Sequence, residues 1–305
     1  MSVNNNISLG VGNCSMSPEL GPYYQDLKQA IYHFDNNNLG RFDEKGIPYL
    51  VEKERNYYNA VYVIQYALIQ FEFLYLNDKP EEREKTIQSC VSWLVEHAEH
   101  YHDSIVWRSE ENHHYNLKKG WVSAMYQGQA ISLLLRAYQH FGDKTYLDIS
   151  QKVFGFFKYD FKEGGVRRID KNGNLWFEEY PTDPPSFVLN GFIYTMFGIL
   201  DFYRVTKNVE AKKLFDDCVE TLKINLPKYH RFYWSVYDQL KKELVSYYYQ
   251  KNVHIPLMKI MHSLTQEEIF ALYTKKWEKQ LNSQIGLIFV QVMYRVQPRL
   301  QKLRK

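Results

Sequence analysis

Apolar residues recur at helical spacing through most of this chain and alternate only rarely. The segment 61–76, VYVIQYALIQFEFLYL, is apolar almost all round and predicts a helix buried on every side. Pro80-Glu81-Glu82 opens a second helix with acids in its first turn, and Val91, Trp93, Leu94 and Ala98 form its apolar face. A polar loop bearing histidines follows. The run GWVSAMYQGQAISLLLRAYQHF then predicts a helix that stops at Gly142-Asp143, with Ser132, Leu135 and Ala137 suited to close helix contact. Further helices are expected over 146–157, 187–203 and 211–225. Beyond them LPKYHRFYWSVYDQL and SYYYQKNVHIPLM read as irregular. Thr265-Gln266-Glu267-Glu268 resembles a capping-box start. From Ile285 an apolar dozen leads into Arg295, Arg299, Lys302, Arg304 and Lys305. Residues 1–20, rich in Asn, Ser and Gly, are expected to be disordered.

One stretch has strand character. VRRI and NLWFEEY face each other across Asp170-Lys171-Asn172-Gly173, whose Asn-Gly suits a tight hairpin turn. The second strand delivers Glu178, Glu179 and Tyr180 and then meets Pro181. Pro181, Pro184 and Pro185 exclude a helix there, and Ser186 is placed to cap one running through Phe187, Leu189 and Phe192. Two carboxylates and a phenol at a rigid junction serve either acid–base chemistry or a solvated strand end.

The expected class is therefore mainly α: seven or eight helices joined by alternating short turns and long decorated loops. That rhythm suggests an incomplete α/α-toroid (α/α-barrel) with a β-hairpin contributing to the cleft, although pattern alone does not set the closure. The expected division is a disordered 1–20, a domain over 21–282 and a basic tail helix over 283–305.

Composition narrows the function. The 26 tyrosines offer flat faces with polar tips, which suit a hydroxyl-rich ligand, though most will pack as core. A net charge of +3 carries no nucleic-acid footprint. Cys14, Cys90 and Cys218 lack a CxxC, which argues against a disulfide framework or zinc. His97, His100, His102, His113 and His114 lack an HExxH or a carboxylate at ligand spacing, so no metal is expected. No apolar run approaches the ~20 residues of a membrane span, and the first residues lack the charge and apolar run of a secretory signal. A cytoplasmic protein is expected. The basic tail either touches an anionic membrane surface or docks on its own domain.

Several blocks carry a resemblance. GWVSAMYQGQAISLLLRAY, GGVRRIDKNGNLWFEEYPTDPPSFVLNGFIYTMFGILD, NYYNAVYVIQYAL, GRFDEKGIP and the elements near Tyr237 and His254 resemble the C-terminal domain of the D-glucuronyl C5-epimerases, over about residues 22–282. The paired patterns SAMxQGQA and EEYPxxPxSxVLNG are long and specific. The resemblance implies an α/α-toroid whose cleft holds an anionic, heparosan-like polysaccharide. It implies inversion of C5 of D-glucuronate to L-iduronate without a cofactor, in a compact bacterial form serving capsule or surface-polymer synthesis. It leaves room for a homodimer. Three features depart from the family: its YDLR reads Tyr237-Asp238-Gln239-Leu240, losing the arginine thought to hold the uronate carboxylate; its tyrosine-histidine pair before HI reads Tyr249-Gln250-Lys251-Asn252-Val253-His254, one residue longer; and Tyr126 replaces a small residue. Lys241 or Lys242 is the substitute on offer, a point charge in place of a fork.

Epimerisation at C5 needs one group on each face of the ring and donors for the charge that spreads onto the carboxylate. Glu179 is the candidate on one face, with a pKa that burial or Glu178 should raise. Tyr249, preferred to Tyr248, is the candidate on the other, as a proton donor unless Lys251 lowers its pKa. Tyr180 and Tyr237 are expected to bond the intermediate. The candidate substrate-binding set is Glu178, Asn190, Gln127, Tyr58, Tyr248, His254 and Lys241. A lyase, a glycoside hydrolase and a non-catalytic glycan-binding homologue are the competing readings.

Overall fold

The computed structural model describes residues 7–35, 41–52 and 55–302. After a short α1 (Ile31–Asp35), three helix pairs carry the core. They are α2 (Ala60–Tyr75) with α3 (Pro80–Glu96), α4 (Ala124–Phe141) with α5 (Lys144–Gly155), and α6 (Leu189–Thr206) with α7 (Val209–Asn225). Helices α2, α4 and α6 also pack on one another in succession, so they form an inner layer and α3, α5 and α7 an outer one. Burial follows the hydrophobic pattern. Every residue of α4 from Ala124 to Ala137 is buried, whereas α3 and α7 bury one face. The contact between α4 and α6 depends on Gly128 and Gly198: a Cβ on Gly198 would lie 2.1 Å from the Gly128 carbonyl oxygen. The chain is thus mainly helical, as the periodicity predicts.

Local chemistry sets the ends. Asn59, Asp143 and Asn208 cap α2, α5 and α7 by accepting from Val61, Thr145 and Ala211 N–H groups. Gly142, at φ 75°, closes α4.

Strands are short: β1 (Gly10–Val11) pairs with β2 (Gln25–Asp26), and β3 (Arg41–Phe42), β4 (Pro48–Glu52) and β5 (Arg55–Tyr57) form a three-stranded sheet. A second hairpin, β6 (Glu99–Tyr101) with β7 (Ser104–Val106), lies inside the histidine-bearing segment that reads as a loop. The expected hairpin forms between β8 (Arg167–Ile169) and β9 (Leu175–Phe177), all antiparallel. Its turn is stiffened by Asp170, which accepts from the Asn172 and Asn174 N–H groups, with Gly173 at φ 84°.

Three expectations fail. Residues 7–20 are ordered: Ile7 and Leu20 are buried, and β1 is paired. The cause lies far away in sequence. Buried Arg136 and Arg204 donate to the carbonyls of Gly21, Pro22, Ser17 and Glu19, and both pair with buried Asp201. The segment SYYYQKNVHIPLM is helical: α8 (Tyr247–Tyr249) runs through a π-helical turn (Gln250–His254) into α9 (Ile255–Thr265). Pro256 has no N–H for the Asn252 carbonyl, which accepts from Gln25 Nε2 at 2.6 Å. Finally, Thr265 ends α9, with Gln266 at φ 59°, and α10 (Glu268–Leu281) starts from Glu267 without a side-chain cap.

The expected tail helix is α11 (Gln284–Lys302). The side chains of Arg295, Arg299 and Lys302, and Arg304 and Lys305 entirely, lie outside the described residues. Among those described, no helix is long and apolar enough to cross a membrane.

Candidate active site

Residue 178 ties the hairpin to the inner helices. Its N–H donates to the Val166 carbonyl, and its carbonyl accepts from Ala124 N–H at the start of α4. Alternation then decides what each glutamate faces. The Glu178 side chain points into the protein, where Oε2 accepts from Ser186 Oγ at 2.8 Å and Phe187 N–H at 3.1 Å. Arg168 Nε lies 3.2 Å from Oε1, without hydrogen-bond alignment. Glu178 therefore organises the proline-bearing loop and does not face the tyrosines around Glu179. Ser186 is engaged there too, so α6 starts at Leu189 with Val188 as an uncapped N-cap, correcting the expected Ser186 cap.

Glu179 points the other way, toward a group of tyrosines. It is only 2% exposed. Tyr237 donates to its Oε1 at 3.2 Å, and the Tyr180 hydroxyl also reaches the carboxylate. Oε2 lies against Gly191, where a Cβ would come within 2.1 Å. Burial pushes the Glu179 pKa up to about 7; the two phenols oppose the shift and Asp238 adds to it. Of the two expected causes, burial and Glu178, burial leads; Glu178 is itself pushed up to about 7 by burial.

Tyr180, Tyr237 and Tyr249 are partly exposed and close over the carboxylate. The rings of Tyr237 and Tyr249 are 5.6 Å apart. Burial, then the Glu179 carboxylate, hold the Tyr249 phenol well above its ordinary value. Lys251 does not lower it, because its Nζ points to the Ile7 carbonyl at 3.5 Å. Tyr249 is thus a protonated donor beside a carboxyl group that titrates near neutrality.

The structure separates the remaining candidates. Tyr248 bonds His33 Nε2 at 2.7 Å, away from Glu179. His254 lies behind Tyr249, its ring 5.2 Å from it and stacked on Trp277; Nδ1 is bonded to Ser235 and burial drives its pKa down to about 3. It supports Tyr249 as a neutral group. Asn190 is buried near Met125, with Oδ1 unpartnered. Gln127 is a correction: its amide donates to the Ile105 carbonyl and accepts from Trp107 N–H, anchoring β7 inside the protein. Tyr58 lines a different cavity, with its hydroxyl on Asp43. Lys241 Nζ donates to the His114 carbonyl and sits 5.3 Å over the Tyr115 ring. It is a cation at the rim, not a contact of Glu179.

Four participants were not assigned a role from sequence. Tyr115, from the histidine-bearing segment, stacks on Tyr180 at 4.2 Å and donates to buried Asp238. Asp238 also accepts from the Lys241 and Lys242 N–H groups, fixing the loop that presents Tyr237. Tyr126, pushed up to about 12 by burial, bonds Asn59 and senses Glu179. Tyr194, one turn after Asn190 on α6, donates to Gln25 Oε1 at 2.5 Å, and burial and then the Glu179 carboxylate hold its phenol above its ordinary value. No group of three or more His, Cys, Asp or Glu among the described residues is placed to hold a metal.

Residues 97–279, more than half of the chain, match the family described as D-glucuronyl C5-epimerase C-terminus. The chain belongs to that family. It is 32% identical over 224 residues to the D-glucuronyl C5-epimerase of Caenorhabditis elegans, covering 66% of this chain and 36% of the relative. An uncharacterized protein of Methanocaldococcus jannaschii is 36% identical over 179 residues, covering 57% and 58%. The chain therefore spans less than two thirds of either relative. Among solved structures, a cellobiose 2-epimerase from Bacillus thermoamylovorans superposes with a TM-score of 0.48 at 11% identity, covering 82% of this chain and 68% of that one. The family match contains Glu179, Tyr180, Tyr237 and Tyr249, and leaves Tyr58 outside it.

Proposed function

We propose that this member of the D-glucuronyl C5-epimerase family inverts C5 of D-glucuronate residues within a heparosan-like, uronate-containing polysaccharide. The observation that carries the reading is a buried carboxyl group with a pKa near 7 beneath a partly exposed phenol held protonated. Glu179 takes the C5 proton, and the electron pair left behind spreads into the uronate carboxylate. Tyr249 gives its phenolic proton to C5 from the opposite face, and solvent restores both groups. Hydroxyls of Tyr180 and Tyr237 hold the developing charge. They stand in for the absent arginine, with Lys241 as the cation at the rim. The layering of inner and outer helices fits an incomplete α/α-toroid, and its loop end is the cleft for the anionic chain.

Each inverted residue then acquires a proton from solvent. Incubating heparosan in heavy water should place deuterium at C5, read by NMR. An ultraviolet-absorbing unsaturated product would instead identify a lyase. Tight polymer binding by folded protein without deuterium at C5 would identify a glycan-binding homologue.

A further inference from the structure

A cavity of about 1050 Å³ opens beside the start of α2 and the end of α3, and Glu179 does not line it. Its wall carries a ladder of rings: Tyr49 to Tyr58 at 5.9 Å, Tyr58 to Trp93 at 5.4 Å, and Trp93 to His97 at 4.3 Å. Trp93 is buried between its neighbours, whereas Tyr58 is 39% exposed and His97 is exposed. Asn56, Gln88, Ser89 and Ser92 add neutral amide and hydroxyl groups. Charge is nearly balanced. Lys45 and Lys85 face Asp43, Glu44 and Glu96, and Asp43 is already bonded by Tyr58 and by the N–H groups of Lys45 and Ile47. The cavity therefore has no excess positive charge with which to hold a carboxylate. Flat ring surface with neutral polar groups suits the apolar face and hydroxyls of an uncharged pyranose.

The cavity is linked to the candidate site through Asn59. This residue follows Tyr58, caps α2 and bonds Tyr126, which senses Glu179. Helices α2 and α4 pack directly.

We propose that this cavity is a neutral-sugar subsite of the same glycan cleft, holding a hexose or hexosamine ring of the polymer away from the reacting uronate. The proposal rests on reading the Glu179 cluster as the uronate site. It implies that the substrate carries uncharged sugars beside the uronate.

The test follows the His97 imidazole by NMR, assigned with His97→Ala, while three probes are titrated. A neutral N-acetylglucosamine tetramer should shift it, and Tyr58→Ala should weaken that binding about 10-fold, the size of one aromatic stacking contact. An all-uronate tetramer should leave it unmoved. An alternating glucuronate–N-acetylglucosamine decamer should shift it and bind more tightly than the matching tetramer, an advantage lost in Tyr58→Ala. The subsite is overturned if the all-uronate probe moves His97 as strongly as the neutral one. It is equally overturned if neither the neutral tetramer nor the decamer moves it. Deuterium at C5 is read separately in the same samples. A moving His97 without exchange keeps the subsite and sinks the catalytic reading; exchange with an unmoved His97 does the reverse.

Discussion

Gly191 and Glu179 share a space that admits only one side chain: a Cβ on Gly191 would lie 2.1 Å from Glu179 Oε2 and 2.5 Å from Glu179 Cβ. Gly191 sits in the first turn of α6. Alanine there gains up to about 1 kcal/mol of helix propensity, which offsets part of the steric cost. Gly191→Ala should therefore lower C5 exchange at least ~10-fold by displacing the carboxylate, while the melting temperature falls by only a few degrees because overpacking costs about 1–3 kcal/mol before that offset. A variant with full exchange would mean that the carboxylate does not need its observed position.

Burial of carboxyl groups predicts how stability varies with pH. Glu72, Glu178 and Glu179 are each pushed up to about 7 from 4.5, with burial as the leading cause. A raised pKa means that the folded state holds the proton more tightly. The penalty is absent below about 4.5, grows as pH rises, and is complete above about 7. For Glu179 it is on the order of 3 kcal/mol. Urea unfolding should show stability falling from pH 5 to pH 8, and Glu179→Gln should flatten that fall. The same variant should lose ~10²-fold or more in exchange, the range of a general acid or base. In the wild type, exchange should rise through pH 7 as Glu179 ionises. A flat rate profile would remove Glu179 as the base.

Asp201 pairs with two buried guanidinium groups, Arg136 at 2.7 Å and Arg204 at 3.2 Å, and accepts from the Tyr24 hydroxyl. Asp201→Asn leaves those charges uncompensated, at a cost of about 3–5 kcal/mol. Residues 17–24 should then become sensitive to protease under native conditions, because their carbonyls are held by the same two arginines. Unchanged protection would show that strand pairing alone orders this segment.

The helices were legible because a buried inner helix needs apolar residues on all sides, as 61–76 has, and an outer one needs a stripe. The β8–β9 hairpin was legible from Asn-Gly, and Glu179 from its place before the prolines. What escaped the sequence depends on partners far apart in the chain. Residues 7–20 look polar and unstructured, yet the Ser17 and Glu19 carbonyls are bonded by Arg204, more than 100 positions away. Gln127 reads as a ligand for hydroxyls, and only the fold reveals that β7 occupies its amide. Glu178 and Glu179 are equivalent in composition. Alternation along the strand sends one to Ser186 and the other to the tyrosines, and which is which follows from the pairing with Val166 and Ala124. Tyr115 carried no signal, because its role arises from stacking on Tyr180, a residue far along the chain.

Tyr248 and Tyr249 are adjacent in sequence, and the helical turn that carries them sends them to different partners. Tyr249 faces Tyr237 and Glu179, whereas Tyr248 bonds His33. Tyr249→Phe keeps the ring and deletes only the phenolic proton. If that proton is delivered to C5, the variant should bind the polymer with nearly unchanged affinity while turnover falls ~10²-fold or more. Tyr248→Phe removes one partly buried hydrogen bond, worth about 1 kcal/mol. It should lower the melting temperature by a few degrees and leave turnover within about twofold. Substrate deuterated at C5 sharpens the comparison. An isotope effect on its epimerisation reports proton removal by Glu179 and should persist in Tyr248→Phe. In Tyr249→Phe, deuterium should still wash out of C5 wherever Glu179 exchanges with solvent, but the configuration should not invert. Washout with retention would separate the two faces of the mechanism. Loss of both by Tyr249→Phe would place the tyrosine on the same step as Glu179, and inversion at the wild-type rate would remove it from the chemistry.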